Sequence, residues 1–176
     1  MFWGEILNYK IFNDDNLKDE EMDGKVVRVK SFIINSKNEI LVASSNGGVQ
    51  LIGGHVEDGE EEVDTLIREI KEEAGMEIEK SEISECFYEV RHYIKNYFNS
   101  GKAIIAIIHY YIIKTDKTPN PEKVHLTAQE KGYDFSLKQI PFDSFEDYLT
   151  KFLNNEKEIN RIIAEETLEA FKNIVK

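Results

Sequence analysis

The sequence predicts an α/β (α+β) fold in which a mixed β-sheet is flanked by helices. The first observation is the order of patterns along the chain, which runs strands, one helix, strands and then helices and is typical of such a layered arrangement. The second is size, because 176 residues of which 41% are hydrophobic can bury one sizeable core. We therefore expect one domain with additions at its ends.

Residues 1–24 are predicted to be an N-terminal extension. A short apolar element is followed by the acidic run NDDNLKDEEMDG, whose polar composition and final glycine are typical of a loop. The domain itself is expected over residues 25–153. The remaining residues, 154–176, are expected to form a C-terminal helix.

Four runs predict strands of the sheet. The β-branched run 26–34 and the run 39–45 are joined by NSKN, which predicts a hairpin. Two further strand-like runs follow at about 83–94 and 102–113. The last of them, KAIIAIIHYYIIK, is apolar nearly throughout, and we expect a strand that is covered on both faces.

Residues 60–74 predict an amphipathic helix. Its apolar residues lie within about 60° of Val63 on a helical wheel, so this face is expected to pack on the sheet. Four carboxylates fall between about 180° and 280° on the same wheel. They are Glu62, Glu69, Glu72 and Glu73. Gly75 follows, at a position where a left-handed residue ends a helix.

Two helical stretches, 142–153 and 156–176, close the chain. In the second, the apolar residues recur at near-helical spacing and form a face broad enough to need a partner surface. Two partners are open at this point: the domain itself, or a second copy of the chain in a homodimer.

Composition argues against several classes of partner. The formal net charge of −12 disfavours binding to a nucleic-acid backbone or an anionic membrane surface. No run reaches the roughly 18 apolar residues of a membrane span. The single cysteine, Cys86, excludes an intrachain disulfide framework, which fits a reducing, cytoplasmic location.

The acidic helix face has two interpretations. A solvated surface is the ordinary one, although like charges four residues apart cost about 0.2–0.5 kcal/mol per pair. A divalent cation is the other. Glu72 and Glu73 lie in the last helical turn, where the helix dipole disfavours negative charge. Carboxylates three and four residues apart supply the oxygen ligands that a hard divalent cation needs from one helix, and this favours the cation.

The same segment carries a spaced motif. Gly54, Glu60 and the run Arg68-Glu69-Ile70-x-Glu72-Glu73-x-Gly75-Met76 are separated by five and seven residues, and together they resemble a complete Nudix box. The resemblance implies a Nudix-type α/β/α sandwich. It also implies hydrolysis of a pyrophosphate linkage in a nucleoside diphosphate joined to another group, such as an NTP, a dNTP or a nucleotide sugar. Water would attack phosphorus, with Mg²⁺ or Mn²⁺ bound by the box.

The resemblance assigns the metal to five residues. Glu69, Glu72 and Glu73 match the family's carboxylate ligands. Gly53 matches a position whose backbone carbonyl often binds metal. Glu60 is expected to pair with an arginine of the box or to act in the outer shell of the metal.

Catalytic roles follow from the same resemblance for Glu69, Glu73, Arg68 and Glu130. Arg68 would orient Glu69. Glu130 is the candidate general base, since it lies in the loop-like stretch HLTAQEKGYDF before a further strand-like segment.

Two other functions share this fold. One is a nucleotide-sensing or binding module with little catalysis, but such modules usually lose box glutamates and none is missing here. The other is an isomerase acting on a prenyl diphosphate, which would need a catalytic cysteine in the site. Cys86 lies outside the box on a predicted strand, so the hydrolase is favoured.

Overall fold

The computed structural model describes residues 8–126 and 134–174, and these contain seven strands and three α-helices. The strands are β1 (Tyr9–Phe12), β2 (Gly24–Ile34), β3 (Glu39–Ser45), β4 (Gly48–Gln50), β5 (Tyr88–Ile94), β6 (Ile104–Lys114) and β7 (Ser136–Pro141). The helices are α1 (Glu62–Ala74), α2 (Phe145–Thr150) and α3 (Glu158–Ile174).

The strands form one mixed sheet in the order β1-β5-β6-β2-β3-β4, with β7 paired to β3. β2 and β6 run parallel from Gly24 opposite Ile104 to Ile34 opposite Lys114. β1 is parallel to β5, whereas β5–β6, β3–β4 and β3–β7 are antiparallel. The predicted mixed sheet is confirmed.

Helices cover both faces of this sheet. One apolar cluster joins α1 to the sheet through Leu66, Ile70 and Ala74. The other joins α2 and α3 to the opposite face, and Phe145 and Phe171 lie in it. The predicted α/β/α layers are therefore confirmed, and β6 is buried between them as its apolar sequence indicated.

The predicted hairpin of β2 and β3 is present but short, because only Ile33 and Ile34 pair with Leu41 and Ile40. Along most of its length β2 has β6 on one side and the loop 52–56 on the other. This loop is held by backbone hydrogen bonds from Val29 N to Gly54 O (2.9 Å), from Ser31 N to Ile52 O (3.0 Å) and from Val56 N to Val27 O (3.0 Å). The loop thus lies beside β2 like a further strand.

The N-terminal segment adds an edge strand to the sheet. β1 lies within the stretch that the sequence suggested as an extension, and its Tyr9 and Ile11 side chains are 60% and 42% exposed. Only Phe12 of β1 is partly buried, so this short edge strand carries too little alternation to be marked as a strand by its sequence. The predicted strand 83–94 is regular only from Tyr88, and the helical stretch 142–153 is an α-helix only over Phe145–Thr150.

The C-terminal helix α3 packs on the chain's own domain. It contacts α2, β4 and β5, and its buried residues include Ala164, Leu168, Ala170 and Phe171. Its broad apolar face therefore has a partner surface within the same chain. Within residues 8–126 and 134–174, no helix has the length and apolar character needed to cross a membrane.

Candidate active site

Helix α1 positions most of the candidate residues. It follows Glu61, whose backbone is extended, and it ends before Gly75, which has φ 63° and ψ 21°. The amide of Gly75 donates to the carbonyl of Lys71 (3.0 Å), so the predicted left-handed end of the helix is confirmed. A side chain at Gly75 would lie 2.2 Å from the carbonyl oxygen of Asn120, which leaves no room for any other residue.

Arg68 ties the first half of the motif to the second. Its Nε and Nη2 donate to the two oxygens of Glu60, each at 3.0 Å, and its Nη1 donates to Glu69 Oε1 at 2.7 Å. The Thr65 hydroxyl also donates to Glu60 (2.7 Å). These hydrogen bonds, above all those from Arg68, lower the pKa of Glu60 to about 2. Glu60 is thus an anionic anchor for Arg68.

Glu69 lies directly against the glycine pair. A Cβ atom at Gly54 would be 2.1 Å from Glu69 Oε1, so the absence of a side chain there makes room for the carboxylate. Burial raises the pKa of Glu69, and the hydrogen bond and charge of Arg68 offset this only in part.

Glu72 and Glu73 complete the helix's contribution to one cleft. The Glu72 side chain is 42% exposed and lies 3.6 Å from Arg68 Nη1, whereas Glu73 is only 4% exposed. The cleft has a volume of about 410 Å³. It is lined by Arg28, Lys30, Gln50, Gly53, Gly54, Glu57, Arg68, Glu69, Glu72 and Glu73. Glu60 stands behind Arg68 and is not in the lining, and Glu130 lies outside the described residues.

Gly53 presents its carbonyl to the side chain of Lys30. The Lys30 ammonium donates to Gly53 O (2.9 Å) and to Leu51 O (3.0 Å). Gly53 has φ +141°, and a Cβ atom there would lie 2.1 Å from Val29 O, so only glycine can bring this carbonyl so close to β2. Burial lowers the pKa of Lys30, against the opposing charge of Glu73.

Two cations of β2, Arg28 and Lys30, line the cleft although the sequence pattern did not single them out. Arg28 and Lys30 alternate with apolar residues in VRVKSF, and period-two spacing places both on one face of the strand. Two cations on one face of a mostly apolar strand are a signal that could have identified them. The Nη2 atom of Arg28 donates to the Tyr97 hydroxyl (3.4 Å).

The donor chemistry of the cleft fits a hard divalent cation. One polar cavity contains the Gly53 carbonyl and the carboxylates of Glu69, Glu72 and Glu73, which are oxygen ligands of the kind that such a cation prefers. Gly54, which has no side chain, lies against the Glu69 carboxylate. Across the described part of the chain, however, no three acidic, histidine or cysteine side chains are already gathered at metal-binding distances. Arg68 holds Glu69 and approaches Glu72 instead, so metal binding requires these side chains to turn.

Glu62, which shares the helical-wheel sector of the other carboxylates, lies in a separate cluster. Both of its oxygens are 2.8 Å from His109 Nδ1, and the Tyr111 hydroxyl donates to it. His109 Nε2 is 2.9 Å from Glu89, which also accepts from Arg91. Since carboxylates accept on both sides of the ring, His109 is held as the imidazolium cation.

His92 and Cys86 both have structural partners away from the cleft. His92 Nε2 lies 2.8 Å from Glu166 Oε2 of α3, and its ring stacks on Phe12. Burial raises the pKa of Cys86 to about 11, and its thiol donates to the carbonyl of Tyr88 (3.4 Å). A thiol that stays protonated is a poor nucleophile.

Comparison with known proteins agrees with this geometry. The family model described as NUDIX domain matches residues 24–159. A search of curated proteins found no match. Among solved structures, the chain is similar to the MutT protein from Methanosarcina mazei Go1, with 20% identity, 86% of this chain and 96% of that one covered, and a TM-score of 0.53.

Two Escherichia coli structures give the same fold. The ORF135 protein has 20% identity, with 89% of this chain and 91% of that one covered and a TM-score of 0.54. The dihydroneopterin triphosphate pyrophosphohydrolase has 16% identity, with 81% and 94% covered and a TM-score of 0.52. At these identities the likeness concerns the fold.

Proposed function

Because the chain belongs to the NUDIX domain family and is a pyrophosphohydrolase, we propose that it cleaves a small nucleotide with the aid of Mg²⁺ or Mn²⁺. The substrate class is a nucleoside diphosphate joined to another group, such as an NTP, a dNTP or a nucleotide sugar. The observation that carries the proposal is the single cleft that contains Gly53, Glu69, Glu72 and Glu73 beside two cationic side chains of β2.

Glu69, Glu72, Glu73 and the Gly53 carbonyl would hold the cation. A bound divalent cation neutralises charge on the reacting phosphates and lowers the pKa of coordinated water. Arg68 keeps Glu69 turned toward the glycine pair, and Glu60 keeps Arg68 in place through two hydrogen bonds. We therefore assign Glu60 a positioning role behind the metal.

The anionic substrate would be bound by the cations that β2 contributes to the cleft. Arg28 lines it and carries a fixed positive charge with several donors, which suits the oxygens of a diphosphate. The protein's high negative charge makes such local cations necessary, because the summed field repels a polyphosphate. Glu130 remains the predicted general base for the attacking water.

A release screen for phosphate and nucleotide tests this proposal. NTPs, dNTPs, nucleotide sugars, ADP-ribose and dinucleoside polyphosphates are incubated with the protein and either Mg²⁺ or Mn²⁺. We expect hydrolysis of at least one class, with loss in Glu73→Gln and retention in Glu77→Gln, a matched change at an exposed glutamate just outside the box. Metal-independent hydrolysis, or equal rates in the two variants, would contradict the proposal.

A further inference from the structure

Lys30 occupies an unusual position in the cleft. Its ammonium group lies on β2 in the middle of the domain, within hydrogen-bond distance of the carbonyl oxygens of Leu51 (3.0 Å) and Gly53 (2.9 Å). Backbone carbonyls are weaker partners for an ammonium than carboxylates. The Lys30 ammonium nevertheless occupies the Gly53 carbonyl oxygen, which is one of the proposed metal ligands.

The negative side chains nearest the proposed metal position also face Lys30. Glu73 and Glu69 line the same cleft, and both act on Lys30 by charge. Glu166 of α3, which binds His92, acts on it as well. Arg68 is committed to Glu60 and Glu69 by three hydrogen bonds. Arg28, the other cation that β2 contributes to the cleft, repels Lys30 and donates to the Tyr97 hydroxyl. Lys30 is thus a cation that faces Glu69 and Glu73 of the acidic cluster.

We propose that Lys30 is a positioning residue that holds the metal-free cleft together and competes with the divalent cation for the Gly53 carbonyl and the neighbouring carboxylates. The inference rests on the proposed function, because it concerns the same metal. An ammonium and a divalent cation seek the same oxygens and repel each other at this range. Metal binding therefore drives the Lys30 ammonium off the Gly53 carbonyl and away from the metal.

Metal titration of variants by calorimetry tests this competition without any turnover. Lys30→Gln keeps amide hydrogens that can donate to the carbonyls but removes the charge, so it tests charge with little loss of hydrogen bonding. We expect it to bind Mn²⁺ at least fivefold more tightly than the wild type, and Lys30→Arg, which keeps the charge, to bind within twofold of it. Lys25→Gln is the matched control, since Lys25 is exposed on the same strand.

A second measurement uses the wild-type chain and so does not depend on a variant that folds. Acetylation by a small reagent is followed at each lysine by mass spectrometry, with and without Mg²⁺. The hydrogen bonds of Lys30 protect its amine in the metal-free protein, and we expect its labelling rate to rise at least threefold with metal while that of Lys25 stays constant.

The outcomes separate this inference from the function on which it rests. Unchanged or weaker Mn²⁺ binding in Lys30→Gln, with clear binding in the wild type, would overturn the competition alone. A Lys30 labelling rate that falls or stays level with Mg²⁺ would do the same. Absence of metal binding in the wild type and in every variant would overturn the metal-dependent function and the inference together.

Discussion

Arg68 and Glu69 are consecutive residues of α1, yet an ion pair of 2.7 Å joins their side chains. Neighbouring residues on a helix point about 100° apart, so the contact requires the long arginine side chain to bend across the helix surface. The bend is held by Glu60, which accepts from two nitrogens of the same guanidinium. The position of the Glu69 carboxylate therefore depends on a residue eight positions before Arg68.

The Arg68→Lys variant should lose this arrangement. A lysine carries one compact charge and cannot serve both glutamates with a planar fork. We expect turnover to fall by at least about tenfold, a loss of roughly 1.4 kcal/mol of transition-state stabilisation. Steady-state kinetics on the best substrate of the screen measures it. Lys71→Arg on the exposed part of α1 is the control, and near-wild-type turnover in Arg68→Lys would refute the orienting role.

Gly54→Ala should separate activity from folding. The new Cβ atom would meet the end of the Glu69 side chain at 2.1 Å, and a flexible carboxylate can move aside. We expect the free energy of unfolding to change by less than about 1 kcal/mol, while turnover falls at least tenfold. Denaturant unfolding and kinetics test the two parts. In the control, Gly24→Ala, the Cβ atom meets Ile104 at an ordinary 3.5 Å, and both quantities should stay near those of the wild type.

Glu69→Gln should have opposite effects on stability and rate. Burial raises the pKa of Glu69, so the folded protein disfavours its charged form, and a neutral isostere also relieves repulsion from Glu72 on the next turn. We expect metal-free stability to be unchanged or to rise by a few tenths of a kcal/mol. Turnover should fall about a hundredfold or more if Glu69 binds the metal directly. Retention of full turnover would remove Glu69 from the metal site.

Divalent metal should stabilise the protein against heat. Ligand binding to the native state adds RT ln(1 + [L]/Kd), about 2.7 kcal/mol at a hundredfold excess over Kd. We expect thermal melts to shift upward with millimolar Mg²⁺ or Mn²⁺, and the shift to vanish in Glu73→Gln. Equal shifts in the variant and the wild type would remove Glu73 from the metal site.

The ion pair of His109 and Glu62 predicts a pH optimum for stability. Burial lowers the pKa of His109, but the hydrogen bonds and charges of Glu62 and Glu89 outweigh it and place the pKa above 6.5. Burial raises the pKa of Glu62, but bonds from His109 and Tyr111 outweigh it and place the pKa below 4.5. A further charged group, Arg91, belongs to the same cluster because it pairs with Glu89.

The signs of these shifts define the pH window. The stability contributed by His109 is fully present below pH 6.5 and is lost as the pH rises through its raised folded pKa. The stability contributed by Glu62 is present above pH 4.5 and is lost as the pH falls through its lowered folded pKa. Both are therefore present between these limits.

Urea unfolding from pH 5 to pH 9 tests this window. We expect His109→Asn to be less stable than the wild type at about pH 6, and the gap to narrow at alkaline pH as wild-type His109 loses its proton. His55→Asn, at an exposed histidine, should show no such trend. A gap that is constant across the range would mean that His109 contributes by packing alone.

The helix and the glycine positions were predictable from sequence because each depends on local rules. The apolar spacing of α1 places Leu66 and Ile70 on the sheet, and a residue in the left-handed region at Gly75 ends the helix. The spacing of carboxylates likewise predicted that Glu69 and Glu73 share one side of α1, and both line the cleft. The local sequence pattern was sufficient to predict which side chains of α1 pack on the sheet.

The partner of Glu62 was not predictable, although the family resemblance did imply that Arg68 pairs with Glu60 and Glu69. Glu62 and Glu69 share one sector of the helical wheel, but Glu62 meets His109 of β6, 47 residues away, and Glu69 meets Gly54. Which strand lies under each turn of the helix depends on the parallel pairing of β2 and β6, and no local pattern encodes that pairing. The contact of Lys30 with the Gly53 carbonyl was not predictable for the same reason.

The loop 52–56 has a consequence for how the chain can change over evolutionary time. Its backbone forms hydrogen bonds to β2 at Val27, Val29 and Ser31, so the register of the loop against the strand is fixed. An inserted or deleted residue here would move Gly53 and Gly54 out of register with Val29 and Glu69 at once. The turn Asn35–Asn38 bears no such constraint from the cleft. Insertions and deletions among descendants of this chain should therefore be tolerated in the turn 35–38. They should be selected against in the loop 52–56, although both segments are irregular in secondary structure.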